Sequence, residues 1–266
     1  ASSNSPICLG ETLALTSSGG VSYVWEGPSG FNSNQQNPSI PNVDMGNSGL
    51  YTVTGTGPGG CTGTAFTNVI ILPLPVVAIL PPAFPLCEDS PVATLGGVPA
   101  GGVWGGAANA AGQVNPMALG PGNHLVSYTY TDQSGCSSTE EIFIEIYSLP
   151  IVTIDPVAPF CDNDPPFYMT ASPLGGLWGG AASSSGLIDP LNLGTGTHEV
   201  TYTFTEATGC TGMDTYLIEI LPGATVSIQP AGPFCANAPL FTLTATPPGG
   251  TWGGAANALG QVNPAA

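Results

Sequence analysis

A period of 74 residues governs this chain. Cys87, Cys161 and Cys235 stand 74 apart, as do Trp104, Trp178 and Trp252, and His124 and His198 keep the same spacing. Each of these Trp residues follows its Cys by 17 positions inside Gly-Gly-Xaa-Trp-Gly-Gly, and Trp25 follows Cys8 by the same 17. A fixed period this long means a tandem array of small units, so no single residue can be read apart from its copies. The 266 residues divide into modules at 1–74, 75–148, 149–221 and 222–266.

Composition narrows the class. Apolar residues make up 42% of the chain, enough for every period to bury a core and too many for disorder. With 38 Gly, 28 Pro and no long stretch of helical periodicity, the chain favours short strands and turns. It has no Lys and no Arg against 17 Asp and Glu. Nothing can neutralise phosphates, which excludes nucleic acid and argues against anionic membranes as partners. Catalysis by Lys or Arg is excluded as well. The most apolar stretch, Val69 to Phe84, is broken by Pro73, Pro75, Pro81 and Pro82 and is too short and interrupted to cross a bilayer as a helix. It is expected to hold the last strand of one module, a stiff joint and the first strand of the next. No signal peptide is visible, and Ala1 is expected to follow removed sequence.

Alternation identifies the strands. Leu13 and Leu15 alternate with Thr12, Ala14 and Thr16 in the first module. In the second, Val126, Tyr128 and Tyr130 share one face, and Ile142, Ile144 and Ile146 share another. Val200, Tyr202 and Phe204, then Ile218 and Ile220, repeat this in the third. Period-two patterns with one buried face are what a two-sheet sandwich requires. The fold class is therefore all-β, as tandem immunoglobulin-like sandwiches. The fourth module repeats Gly101 to Pro116 at Gly249 to Pro264 but lacks the His-containing strand and the final hairpin. Those strands are expected from a continuing chain, or from another chain by strand donation.

Seven Cys at repeating positions point to an oxidising compartment, hence to a secreted or cell-surface protein. Spacing allows many pairings, and the register favours a partner within each module. The expected bridges are Cys8–Cys61, Cys87–Cys136 and Cys161–Cys210, with Cys235 unpaired within the chain. Zinc is the rival reading, although there is no Cys-Xaa-Xaa-Cys pair.

Two resemblances follow from these motifs. Asp44 to Val53, with Ser48-Gly49 before Tyr51, resembles the tyrosine corner of immunoglobulin domains, except that Val53 stands where an antibody domain has its second Cys. The run Pro-Phe-Cys, Gly-Gly-Xaa-Trp-Gly-Gly, Asn-Pro or Asp-Pro, Gly-Xaa-His, Tyr-Thr-Tyr or Tyr-Thr-Phe, Gly-Cys resembles the immunoglobulin-like (PKD-like) repeats of very large secreted Bacteroidetes proteins. The second resemblance implies export by the type IX system and a place in adhesins, gliding-motility filaments or enzyme stalks.

Candidate functional residues are few. Trp25, Trp104, Trp178 and Trp252 are expected to be core residues, with a row of sugar-stacking platforms as the alternative. His124 and His198 are expected to make polar contacts at a strand end, with metal binding or a pH response as the alternative. Glu88, Asp89, Asp162 and Asp164 follow the first Cys of their modules, where acids form turns or hold calcium at a joint. The fourth module has Ala236-Asn237-Ala238 there, which argues against calcium at every joint. No nucleophile-and-base motif or phosphate loop is present, and no catalytic residue, metal ligand or cofactor is expected. The expected function is structural: a surface filament or adhesin stalk that self-associates or continues as a longer repeat chain. A glycan-binding array and a spacer in a large secreted enzyme are the alternatives.

Overall fold

A computed structural model describes residues 1–83 and 85–265; Phe84, at the end of the apolar stretch Val69 to Phe84, lies outside the described residues. The chain is almost entirely β, and no helix is long and apolar enough to cross a membrane among the described residues. By backbone proximity it forms two compact units, Ala1–Leu149 with Ala207–Cys210, and Pro150–Glu206 with Thr211–Ala266.

In the first unit, residues 1–72 form an immunoglobulin-like sandwich. One sheet has four strands, in the order Asn32–Ser33, Ser22–Glu26, Gly49–Thr56, Thr62–Val69. The other joins Ser2–Ser3, Leu13–Thr16 and Ser39–Ile40. The alternation read from sequence sets the burial: Leu13 and Leu15 face inward while Ala14 and Thr16 face out. Between the sheets, Leu13, Leu15, Trp25, Tyr51, Val53 and Val69 form one core.

The corner motif forms as its residues suggest. Asp44 accepts from the Gly46 N–H (2.8 Å), Asn47 Oδ1 accepts from the Asp44 N–H (2.9 Å), and Tyr51 donates its hydroxyl to the Asn47 carbonyl (3.0 Å). The Asp44–Asn47 pair is a reciprocal cap that satisfies donors otherwise left bare at a short helical turn. Burial, and next the Asp44 charge, hold the Tyr51 phenol above its ordinary value of 10.0.

Residues 75–148 build around one long hairpin, Gly122–Thr131 and Ser137–Tyr147. Val103–Gly106 pairs antiparallel on one side of it, and Leu86–Cys87 pairs parallel on the other. Two short ladders, Ala78–Leu80 with Gly96–Val98 and Ala93–Thr94 with Gln113–Val114, form the opposing layer. Val126, Tyr128, Ile144 and Ile146 meet Ile79, Leu95 and Val114 in the core.

Residues 150–221, all but 207–210 of which belong to the second unit, repeat this plan. The hairpin Gly196–Thr205 and Thr211–Leu221 is flanked by Leu177–Gly180 and by Phe160–Cys161. Val200, Tyr202 and Ile218 meet Ile154, Met169 and Ile188. Residues 222–265 contain only the two short ladders, Ser227–Ile228 with Ala245–Thr246 and Phe241–Thr242 with Gln261–Val262.

Candidate functional site: bridges between modules and an aromatic clamp

In the second and third modules the two cysteines flank opposite ends of the hairpin's second strand, one paired beside its end and one just before its start. Cys87 pairs with Tyr147, the last residue of Ser137–Tyr147, and Cys136 immediately precedes the first. Eleven residues at about 3.3 Å each hold the two cysteines some 35 Å apart. A disulfide needs Cα atoms within about 7 Å. Cys161 lies opposite Leu221 while Cys210 precedes Thr211, and Cys8 lies opposite Leu72 while Cys61 precedes Thr62.

The structure therefore corrects the expected bridges Cys8–Cys61, Cys87–Cys136 and Cys161–Cys210. The disulfides formed are Cys8–Cys136 and Cys87–Cys210, with Cα separations of 5.5 and 5.6 Å. In both, the first Cys of one module bonds the hairpin Cys of the next. Cys235 is free, and so are Cys61 and Cys161, which the expected pairing had engaged. The bonded hairpin cysteines, Cys136 and Cys210, are fully buried.

Local chemistry presents each hairpin cysteine. In the turn before Cys136, Asp132 Oδ1 accepts from the Ser134 N–H (2.8 Å) and the Cys136 N–H (3.0 Å). Gly135 then takes φ +88°, a left-handed conformation that a side chain opposes. Gly60 and Gly209 do the same before Cys61 and Cys210. At the other pole, a side chain three residues after the first Cys accepts its N–H: Glu11 for Cys8, Ser90 for Cys87 and Asp164 for Cys161. Glu88 accepts from the Leu149 N–H (3.2 Å), and Asp162 from the Gly223 N–H (2.8 Å). These acids clip the start of a module to its exit strand. Asp89 lies beside them in the same turn. Among the described residues, no three His, Cys, Asp or Glu side chains are grouped to hold a metal ion.

The second recurrent feature is a clamp of aromatic rings on glycine backbone. Tyr128 accepts from the Gly102 N–H (2.7 Å) and donates to the Pro99 carbonyl (2.6 Å). Tyr202 makes the same pair with Gly176 (2.6 Å) and Pro173 (2.7 Å). Trp104 packs on Tyr128 with ring centroids 4.5 Å apart, and Trp178 on Tyr202 at 4.6 Å. A Cβ on Gly112 would lie 2.6 Å from Trp104 Nε1, and one on Gly186 would lie 2.7 Å from Trp178 Nε1. The glycines are there because rings occupy the space a side chain would take.

The four Trp residues thus have different surroundings. Trp25 is fully buried in its core, whereas Trp104 and Trp178 are half-buried against theirs. Trp252 is also half-buried and lies over Gly260. His124 and His198 hydrogen-bond through Nε2 to the carbonyls of Gly120 (2.9 Å) and Gly194 (3.0 Å), at the turn entering the hairpin. The tyrosine–glycine–proline clamp was the feature missed in the sequence. Its signal was present, because Tyr128 and Tyr202, Gly102 and Gly176, and Pro99 and Pro173 all keep the 74-residue step.

Replacing Tyr128 with Phe leaves the Gly102 N–H and the Pro99 carbonyl without their shared partner. The expected cost is about 0.5–1.5 kcal/mol, the usual net worth of a hydrogen bond, because both groups are only partly buried. Chemical denaturation of the oxidised chain, followed at the amides of Ala100, Gly101 and Gly102, measures it.

Neither a protein-family model nor a curated protein sequence matches the chain. Solved structures that resemble it include immunoglobulin domains and bacterial adhesins. Sidekick-1 immunoglobulin domains 1–5 align at 13% identity over 81% of this chain and 58% of that one, with a TM-score of 0.26. The Ca2+-stabilised adhesin of an ice-binding Antarctic bacterium aligns at 12% identity over 83% of this chain and 72% of the other, with a TM-score of 0.34. A structure from a 1.5-MDa bacterial ice-binding adhesin aligns at 14%, over 80% and 91%, with a TM-score of 0.31. The chain thus spans under two thirds of the five-domain Sidekick-1 structure. At such identities and scores these overlaps bear no functional argument.

Proposed function

We propose that the chain is a structural segment of an extracellular bacterial stalk or filament, made of immunoglobulin-like modules cross-linked in series. The observation that carries this reading is the pair of disulfides that cross module boundaries. A bridge within a module stabilises that module; a bridge to the next ties successive modules together. That is a device for bearing load along an array, and it requires an oxidising compartment. The motif resemblance to secreted Bacteroidetes repeats supports the same reading and adds export by the type IX system.

Self-association is part of the proposal. Phe143 and Leu217 occupy the same register on the outer face of their hairpins and are 69% and 61% exposed. Only 6% of residues are charged, and salt screens the net charge of −17, so neighbouring chains can approach side by side. Surface glycans stacking on Trp104 and Trp178 are the weaker reading, because both rings already pack on a Tyr and a Gly backbone.

Electron microscopy of the native material tests the proposal. Filaments or straight stalks with an axial repeat equal to a whole number of modules are expected. Freely jointed beads with no preferred angle would overturn it.

A further inference from the structure

Residues 222–265 keep the glycine, tryptophan and proline positions with which the two preceding modules hold their hairpin, though not the acid that follows the first Cys, and here three of those glycines face open space. In the second module, a Cβ on Gly102 would lie 2.6 Å from Thr129 O, one on Gly105 2.7 Å from Ser127 Oγ, and one on Gly106 2.2 Å from Leu125 O. In the third, Gly176, Gly179 and Gly180 are pressed on Thr203, Thr201 and Glu199 at 2.5, 2.7 and 2.3 Å. Gly250, Gly253 and Gly254 stand at the same three register positions, and a Cβ on any of them would meet nothing within 4 Å. Ile228 is 56% exposed, against 7% for Ile79 and 6% for Ile154 at the matching position. Trp252 and Ile228 line an open groove of about 560 Å³ together with Val226, Leu243 and Pro247. Pro247 and Gly250 match Pro99 and Gly102, the two groups that share a Tyr hydroxyl in the clamp.

A second observation points to the same occupant. The Asp162 carboxylate accepts from the Gly223 N–H as Glu88 accepts from the Leu149 N–H, so the third module is clipped to its exit strand like the second. Cys87 at that pole is bonded to the hairpin Cys of the next module, Cys210, whereas Cys161 in the same position is free.

We infer that the face formed by residues 222–265 is an acceptor for a β-hairpin of the repeat's own type, joined in the same polypeptide, whose turn cysteine forms a disulfide with Cys161. The occupant is defined by what the face presents. Its first strand carries Val-Xaa-Tyr, the Val over Gly254 and the Tyr hydroxyl between the Gly250 N–H and the Pro247 carbonyl. Its turn ends in Gly-Cys. Supply from the same polypeptide is favoured over supply from a second copy. A hairpin in a second copy already buries its own Val126 and Tyr128, or Val200 and Tyr202, and would have to abandon that core. A tethered hairpin meets the face at millimolar effective concentration. Closing the bridge removes two thiol hydrogens and two electrons, taken by an external disulfide or oxygen as the oxidant.

The test appends a second copy of the chain's own Leu193–Leu221 after Ala266, which preserves the 74-residue register. After oxidation with a glutathione disulfide buffer, fragment masses should show Cys161 bonded to the appended cysteine. The amides of Thr251–Gly254 should exchange at least about tenfold more slowly than in the unextended chain. A free Cys161 with unchanged exchange would overturn the inference. So would a bridge that forms equally well when Gly254→Val blocks the cradle, because proximity alone would then explain it. If the unextended chain oxidises instead to a dimer through Cys161 and a second copy's Cys61, supply from the same polypeptide is wrong. Should the extended chain precipitate, a synthetic Leu193–Leu221 peptide added to the unextended chain must give the same bridge and protection, or the inference fails.

Discussion

Pulled from points just outside Cys8 and Cys210, the oxidised chain is expected to stop lengthening at roughly 160–180 Å of contour between those residues. The two bridges interlace. Cys87 lies inside the loop closed by Cys8–Cys136, and Cys136 lies inside the loop closed by Cys87–Cys210. The shortest covalent route crosses the first bridge, returns along the 49 residues from Cys136 to Cys87, and crosses the second. Without the bridges, the 202 residues from Cys8 to Cys210 stretch to about 700 Å. Reductant should therefore raise the limit about fourfold in a single-molecule stretching experiment. Cys87→Ser should raise it to the 74 residues from Cys136 to Cys210, about 250 Å. Cys61→Ser should leave it unchanged, since Cys61 has no part in either bridge. An increase with Cys61→Ser would mean that bridges within modules exist after all. The loops span 128 and 123 residues, and in the loop-entropy model closing either one stabilises the folded chain by about 5 kcal/mol.

What the sequence revealed and what it hid have a common cause. Alternation placed Val126, Tyr128, Ile144 and Ile146 in a core because side chains on a strand change face at every residue, a local rule. The corner at Asp44 to Tyr51 was legible for the same reason, since its hydrogen bonds span at most four residues. The disulfides were not, because a strict period gives a cysteine the same register whether its partner lies in its own module or in the next. The deciding quantity was the length and direction of Ser137–Tyr147, which carries Cys136 to the far end from Cys87. The Trp residues show the limit of spacing in another way. Trp25 and Trp104 both follow a Cys by 17 residues, yet Ser22–Glu26 is an interior strand of its sheet and Val103–Gly106 is an edge strand. The neighbouring strand Asn32–Ser33 helps to enclose Trp25, whereas Trp104 depends on Tyr128 and Gly112 and stays half-buried.

Gly106→Ala is expected to destabilise the second module by about 3–5 kcal/mol, and Gly254→Ala by only about 1–2 kcal/mol. Both glycines have nearly the same left-handed backbone, with φ of +69° and +70°, so the conformational part of the cost is common to both. The difference is what a methyl group meets. At Gly106 it would stand 2.2 Å from the Leu125 carbonyl oxygen, a backbone atom in the middle of a ten-residue strand that cannot rotate away. Relief requires Val103–Gly106 to separate from Gly122–Thr131, which breaks the ladder and draws Trp104 away from Tyr128. At Gly254 the methyl group meets open space. A small domain has only about 5–15 kcal/mol of stability in total, so the first substitution removes a large share of it. Hydrogen exchange resolved to single amides measures both in the oxidised chain, at Val126 and Tyr128 for one and at Leu243 and Gln261 for the other. Equal effects at the two sites would show that backbone conformation, rather than the seated hairpin, makes these glycines necessary. A Gly254→Ala cost that rises to the Gly106→Ala value once a hairpin is appended would show that the cradle does the same work in every module.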